Sequence, residues 1–117
     1  MSVPVGRRTA SLRRRDGTEV GRREEIVDLP KGRLRKLLGD GRAEVGKTVS
    51  LGVSRQVSDG LWLKGEVTTS VKLACDQSED GVEKADEEAW ELAMDKSLDG
   101  LDMLQDWADS LARSLRR

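Results

Sequence analysis

The sequence predicts an α+β fold: an antiparallel β-hairpin packed on a C-terminal helix or kinked helix pair, preceded by a flexible basic N-terminal arm. Three observations predict it. Apolar residues hold most of the odd positions, Val45, Val49, Leu51, Val53 and Val57 and then Leu61, Leu63, Val67, Val71, Leu73 and Cys75, the period of strands with one buried and one wet face. From about residue 78 to 115 the apolar spacing changes to steps of three and four, the period of a helix with one apolar stripe. Residues 1–25 follow neither rule.

That first segment carries only Val3, Val5, Ala10, Leu12 and Val20 as sizeable apolar residues, among the clusters Arg7-Arg8, Arg13-Arg14-Arg15 and Arg22-Arg23. Such a stretch buries too little surface to offset the entropy of ordering, so a flexible arm is expected over 1–25 and one small domain over 26–117. Asp16-Gly17 is a turn signal, but its flanks are too polar for a stable isolated hairpin. Ile26-Val27-Asp28-Leu29 is a short apolar run stopped by Pro30, and Lys31 to Leu38 reads as a basic helical turn or two ended by Gly39-Asp40-Gly41.

The hairpin of about 45–57 and 61–75 has a register that parity decides. A two-residue Asp59-Gly60 loop sets odd residues against even ones, which places the two apolar sets on opposite faces. A three-residue Ser58-Asp59-Gly60 loop pairs Val57 with Leu61, Val53 with Gly65 and Val49 with Thr69, and puts Gly60 at the left-handed position. The three-residue loop is expected.

In the following helix, Asp76 with Glu79, or Ser78 alone, caps the start. Val82, Ala85, Ala89 and Leu92 share one face. Beyond them Met94, Leu101, Leu104, Ala108, Leu111 and Leu115 form a heptad-like stripe, offset from the first by roughly 110° at ~100° per residue. Gly100 lies near the change and marks a bend or break. The first half is expected to cover the hairpin and the second to be an oligomer seam; the alternative is that both halves join one intrachain core.

Composition excludes more than it assigns. Of 117 residues 36% are hydrophobic and 37% charged, with mean hydropathy −0.60. There is no His, which removes Ser-His, Cys-His and His-zinc chemistry. One Cys forms no internal disulfide, the opening MSVPVGRR lacks a secretory apolar stretch, and no apolar run approaches ~18 residues. A cytoplasmic protein without membrane, cofactor or metal is expected. Net charge is −1, yet residues 1–40 hold 11 basic and 6 acidic residues, while 76–109 hold 13 acidic residues against Lys84 and Lys96. Blocks of this kind serve a charged partner or pair with each other.

Each motif has a plain counterpart. Gly41-Arg42-Ala43-Glu44-Val45-Gly46-Lys47-Thr48 matches the phosphate-loop pattern GxxxxGK[ST], but that loop needs a strand before it and a helix at its Lys-Thr pair. Here an alternating strand follows, so a nucleotide-hydrolysing enzyme rests on the letters alone. Arg7, Arg8, Arg13, Arg14, Arg15, Arg22 and Arg23 suit phosphate contact with release of counterions, or solvate a tail. Trp62 beside Lys64 on the wet strand face suits base stacking, or packs under the arm or a partner subunit. Asp95, Asp99, Asp102, Asp106 and Asp109 form a stripe opposite the leucine seam, where a helix is ordinarily solvated. Arg7-Arg8-Thr9-Ala10-Ser11 has the form of a basic-directed phosphorylation site. Cys75 has core parity and no His partner, so it reads as a buried thiol.

The run Gly52-Val53-Ser54-Arg55-Gln56-Val57, with Trp62-Leu63-Lys64, Glu66-Val67 and the Cys75-Asp76 junction, resembles small uncharacterised proteins of bacteriophages and mobile elements. In these a hairpin precedes an acidic helix. The resemblance covers about residues 45–95, implies a small accessory protein, and carries over no catalytic residue; Trp62 stands where such proteins often have Tyr. The functional expectation is a non-enzymatic accessory protein that binds nucleic acid through its basic N-terminal segment and self-associates through its C-terminal helix. The alternative is a protein-interaction module, an adaptor or phage-type inhibitor whose acidic helix engages a basic host or replication protein or imitates DNA.

Overall fold

A computed structural model describes residues 1–115. The strands are β1 (Ser2–Arg14), β2 (Glu19–Pro30), β3 (Ala43–Ser58) and β4 (Leu61–Cys75); the helices are α1 (Lys31–Leu38) and α2 (Glu79–Leu115). The strands form one antiparallel sheet in the order β2-β1-β4-β3. Helix α2, 37 residues or ~55 Å long, lies on one face of that sheet, and the molecule measures 58 × 25 × 17 Å. Two layers are present, and the other sheet face is bare.

The β3–β4 hairpin follows its parity. Val53 lies opposite Gly65 and Val49 opposite Thr69, while Leu63, Val67, Val71, Leu73 and Cys75 are buried. At the tip the expected Val57–Leu61 pair is displaced: Ser58 pairs with Leu61 and the register shifts across Val57. A bulge there lets Val57 keep its inward place, and Gly60 adopts φ +75° in the left-handed region.

The expected flexible arm over 1–25, and with it a domain beginning only at 26, is corrected. Residues 2–14 form an interior strand hydrogen-bonded on both sides, to β2 and to β4. The Asp16-Gly17 turn closes with Arg14 N donating to Thr18 O (2.8 Å), Gly17 N to Arg14 O (2.9 Å) and Thr18 N to Asp16 Oδ1 (2.8 Å). An isolated hairpin this polar would not persist, but β1 gains a second ladder from β4, and its even residues Arg8, Ala10 and Leu12 are buried beneath α2.

Helix α2 runs unbroken through Gly100, where a bend or break was expected. Its buried stripe is Ala85, Ala89, Ala93, Ser97, Gly100, Leu104, Ala108 and Ala112. Small residues bring the helix close to the sheet, most tightly at Gly100, where a Cβ would lie 2.7 Å from Val67 Cγ1. Ser97 Oγ donates to Thr69 Oγ1 at 2.8 Å, which satisfies both hydroxyls in the core. Ser78 caps the helix by accepting from Gly81 N at 3.0 Å.

The oligomer seam is corrected as well. Leu104 and Ala108 are buried against Ala10, Leu12, Leu63 and Val67, with Leu101 and Leu111 packed beside them. Met94 packs on a second cluster built around Val27, Leu29, Val49, Val71 and Leu73. The stripe serves the chain's own core because the sheet has four strands; a lone hairpin would have been too narrow to cover both helix halves. Leu115 alone of the set remains exposed.

Candidate nucleic-acid interface

Pleating sorts the site residues. On β4 the even side chains Trp62, Lys64, Glu66, Thr68, Ser70 and Lys72 point away from α2. The register carries this bare face across to the odd side chains of β1, so Ser54, Lys64 and Arg13 stand on one rung, and Thr48, Ser70 and Arg7 on another. Thr48 and Ser70 share a hydrogen bond at 3.0 Å, and Ser50 and Thr68 one at 3.1 Å. The result is a strip of hydroxyls interrupted by the carboxylates Glu66 and Glu24, with cations at either end.

At one end lies a groove of about 540 Å³ lined by Arg13, Arg14, Arg15, Gly17, Ser54, Trp62, Leu63 and Lys64. The β1–β2 turn and strand β4 thus bring together five of the nine expected nucleic-acid-binding residues. Trp62 is 42% exposed. Asp16, in the same turn, offsets part of this charge: its carboxyl, bonded first by Thr18, is held below the ordinary aspartate range and so stays ionised.

The other four separate from that groove. Arg7 is on the bare face at the far end, with Lys72. Arg8, its sequence neighbour, points the opposite way because adjacent strand residues alternate. It is 8% exposed, donates to Glu25 Oε2 at 2.6 Å and to the Lys96 carbonyl at 3.0 Å, and so ties β1 to β2 and α2. Its assignment to a phosphate surface is corrected to a structural ion pair. Arg22 pairs with Glu24 at 2.9 Å and Arg23 with Glu25 at 2.7 Å. The hydrogen bond between them, then the opposite charge of each partner, raises the pKa of Arg22 and lowers that of Glu24.

Helix α2 presents the reverse charge. It holds twelve acidic residues and three basic ones, Lys84, Lys96 and Arg113. Asp86 pairs with Lys47 at 2.8 Å, Asp109 with Arg55 at 2.5 Å, and Glu88 with Arg33 of α1. Asp95, Asp99, Asp102 and Asp106 face solvent, and no acidic or Cys group among the described residues converges as a metal-binding cluster. The GxxxxGK[ST] segment runs into β3, with Lys47 and Thr48 in extended backbone and no helix behind them. Cys75 is buried; burial first, then Asp76 and Asp40, pushes its thiol pKa up. No helix among the described residues is long and apolar enough to cross a membrane.

What sequence reasoning missed was the sheet continuing through residues 2–30. A signal was present: Arg8-Ala10-Leu12 alternates with Arg7, Thr9, Ser11 and Arg13 ahead of an Asp-Gly turn, with arginine in the inward place of an apolar residue. Comparison with known proteins returned no match among family models, curated proteins or solved structures.

Proposed function

We propose that the protein is a small, non-enzymatic accessory binding protein of the cytoplasm that contacts nucleic acid through the bare sheet face. One observation supports this reading most: Arg13, Arg14, Arg15 and Lys64 converge with the exposed Trp62 on one groove. Four cations at one sheet end neutralise phosphates and release their counterions, while the acidic α2 on the opposite side repels the same ligand and orients it to the sheet. The resemblance of residues 45–95 to small phage and mobile-element proteins favours an accessory role of this kind.

Labelled single- and double-stranded oligonucleotides titrated at low salt test it. Binding is expected to weaken steeply as salt rises, and the charge reversals Arg13→Glu with Arg15→Glu are expected to abolish it. Absence of binding to every oligonucleotide would refute the reading. It would favour a second one, a protein-interaction module, which the twelve acidic residues of α2 and the half-exposed Trp90 and Leu98 on that helix support.

A further inference from the structure

We infer that the bare sheet face selects a single strand, stacking one unpaired base on Trp62 and holding phosphates at both ends of β4. The inference rests on the nucleic-acid reading above and narrows it. Trp62 is 42% exposed on a groove with three arginines and Lys64, where a π-face beside cations takes a base of any sequence. A second groove of about 320 Å³ lies at the far end of the same face, lined by Val5, Gly6, Arg7, Ile26, Ser70 and Lys72. Between the two run the hydroxyl pairs Thr48–Ser70 and Ser50–Thr68, donors and acceptors suited to sugars and base edges. Glu24 and Glu66 also stand on this middle stretch, so phosphates are directed to the ends.

Dimensions separate a single strand from a duplex. The sheet layer belongs to a molecule 25 Å across, whereas a major groove is about 12 Å wide and admits a helix or a two-stranded ribbon. A duplex also keeps its base faces within its own stack, leaving Trp62 without a partner. Lys64 and Lys72 are eight residues apart on one strand, ~26 Å. A stacked strand rising ~3.4 Å per nucleotide spans that distance with about eight nucleotides, within the ~4–16 common for such sites.

The test uses the full chain with labelled DNA and RNA strands of 2 to 16 nucleotides and the matching duplexes. Affinity for single strands is expected to rise with length up to about eight nucleotides and then level off. Trp62→Ala is expected to weaken it between about 5-fold and about 150-fold, Trp62→Phe to restore most of the loss, and neither to alter duplex affinity. Both variants should keep the parent's thermal unfolding, since the indole is exposed. If Trp62→Ala leaves single-strand affinity unchanged, or duplexes bind as tightly as strands, the stacking inference is overturned while phosphate binding stands. If no oligonucleotide binds, both fall.

Discussion

Gly100→Ala and Gly32→Ala are the same chemical change, and the fold assigns them opposite signs. Alanine in a helix interior is favoured over glycine by about 0.5–1 kcal/mol, because glycine loses more backbone freedom on folding. At Gly32, in the first turn of α1, an added Cβ meets nothing within 4 Å, so a part of that gain should appear without any opposing clash. At Gly100 the added Cβ falls 2.7 Å from Val67 Cγ1, 3.2 Å from Val67 Cγ2 and 3.3 Å from Arg8 Cδ. Val67 is fully buried on an interior strand and β-branched, so its χ1 is stiff and it has nowhere to move. Overpacking of a core by one methyl costs about 1–3 kcal/mol, which exceeds the propensity gain. The net expectation is a loss of about 1–2 kcal/mol for Gly100→Ala, against a gain of up to about 1 kcal/mol for Gly32→Ala. Urea unfolding followed by far-ultraviolet circular dichroism resolves both, and the change should appear in the midpoint with m unchanged. A Gly100→Ala variant as stable as the parent, or more so, would mean that α2 does not lie on β4 at that point. The two-layer packing would then be wrong.

Arg8→Met, by removing a buried ion pair and a cap on the Lys96 carbonyl, should cost about 2 kcal/mol in the same urea assay; oligonucleotide affinity should not change, whereas Arg13→Glu should reduce it. Leu104→Ala should cost about 3 kcal/mol, with sedimentation giving the parent's mass for whatever remains folded, because Leu104 fills the chain's own core. Asp76 accepts from Asp40 N at 3.0 Å, and that bond, then Ser78, lowers its pKa. Its contribution to stability is therefore complete above the ordinary aspartate value of about 3.9 and is lost as pH falls through its lower folded value; Asp76→Asn should remove that part of the acid limb of a stability–pH curve. Cys75, with its thiol buried and its pKa raised, should resist alkylation at neutral pH in the native protein and react on unfolding in urea.

The β3–β4 hairpin and the helix after it were legible because their signals are local. Most odd residues from Val45 to Cys75 are apolar, parity decides the register below the tip, and Ser78 stands ahead of a helical stripe. The stretch from Ser2 to Pro30 was not legible. Its inward residues include Arg8, Arg23 and Glu25, whose charges are satisfied by one another and by the Lys96 carbonyl 88 positions from Arg8. The candidate groove was half legible: an arginine triplet and a tryptophan next to lysine were visible in the chain, but nothing local places Arg13 and Lys64 on one rung.

The amino-acid order alone therefore determined where β3, β4 and the long helix form, how β3 and β4 align below their tip, and the opposition of a basic beginning to an acidic end. Periodicity and composition act over a few residues and need no distant partner. Only the tertiary structure decided that β1 lies inside the sheet, that the leucine stripe turns inward, and that Arg7 and Arg8 part company. Those outcomes depend on hydrogen-bond ladders and ion pairs between residues far apart in the chain, whose free energy exists only once the sheet and helix have met.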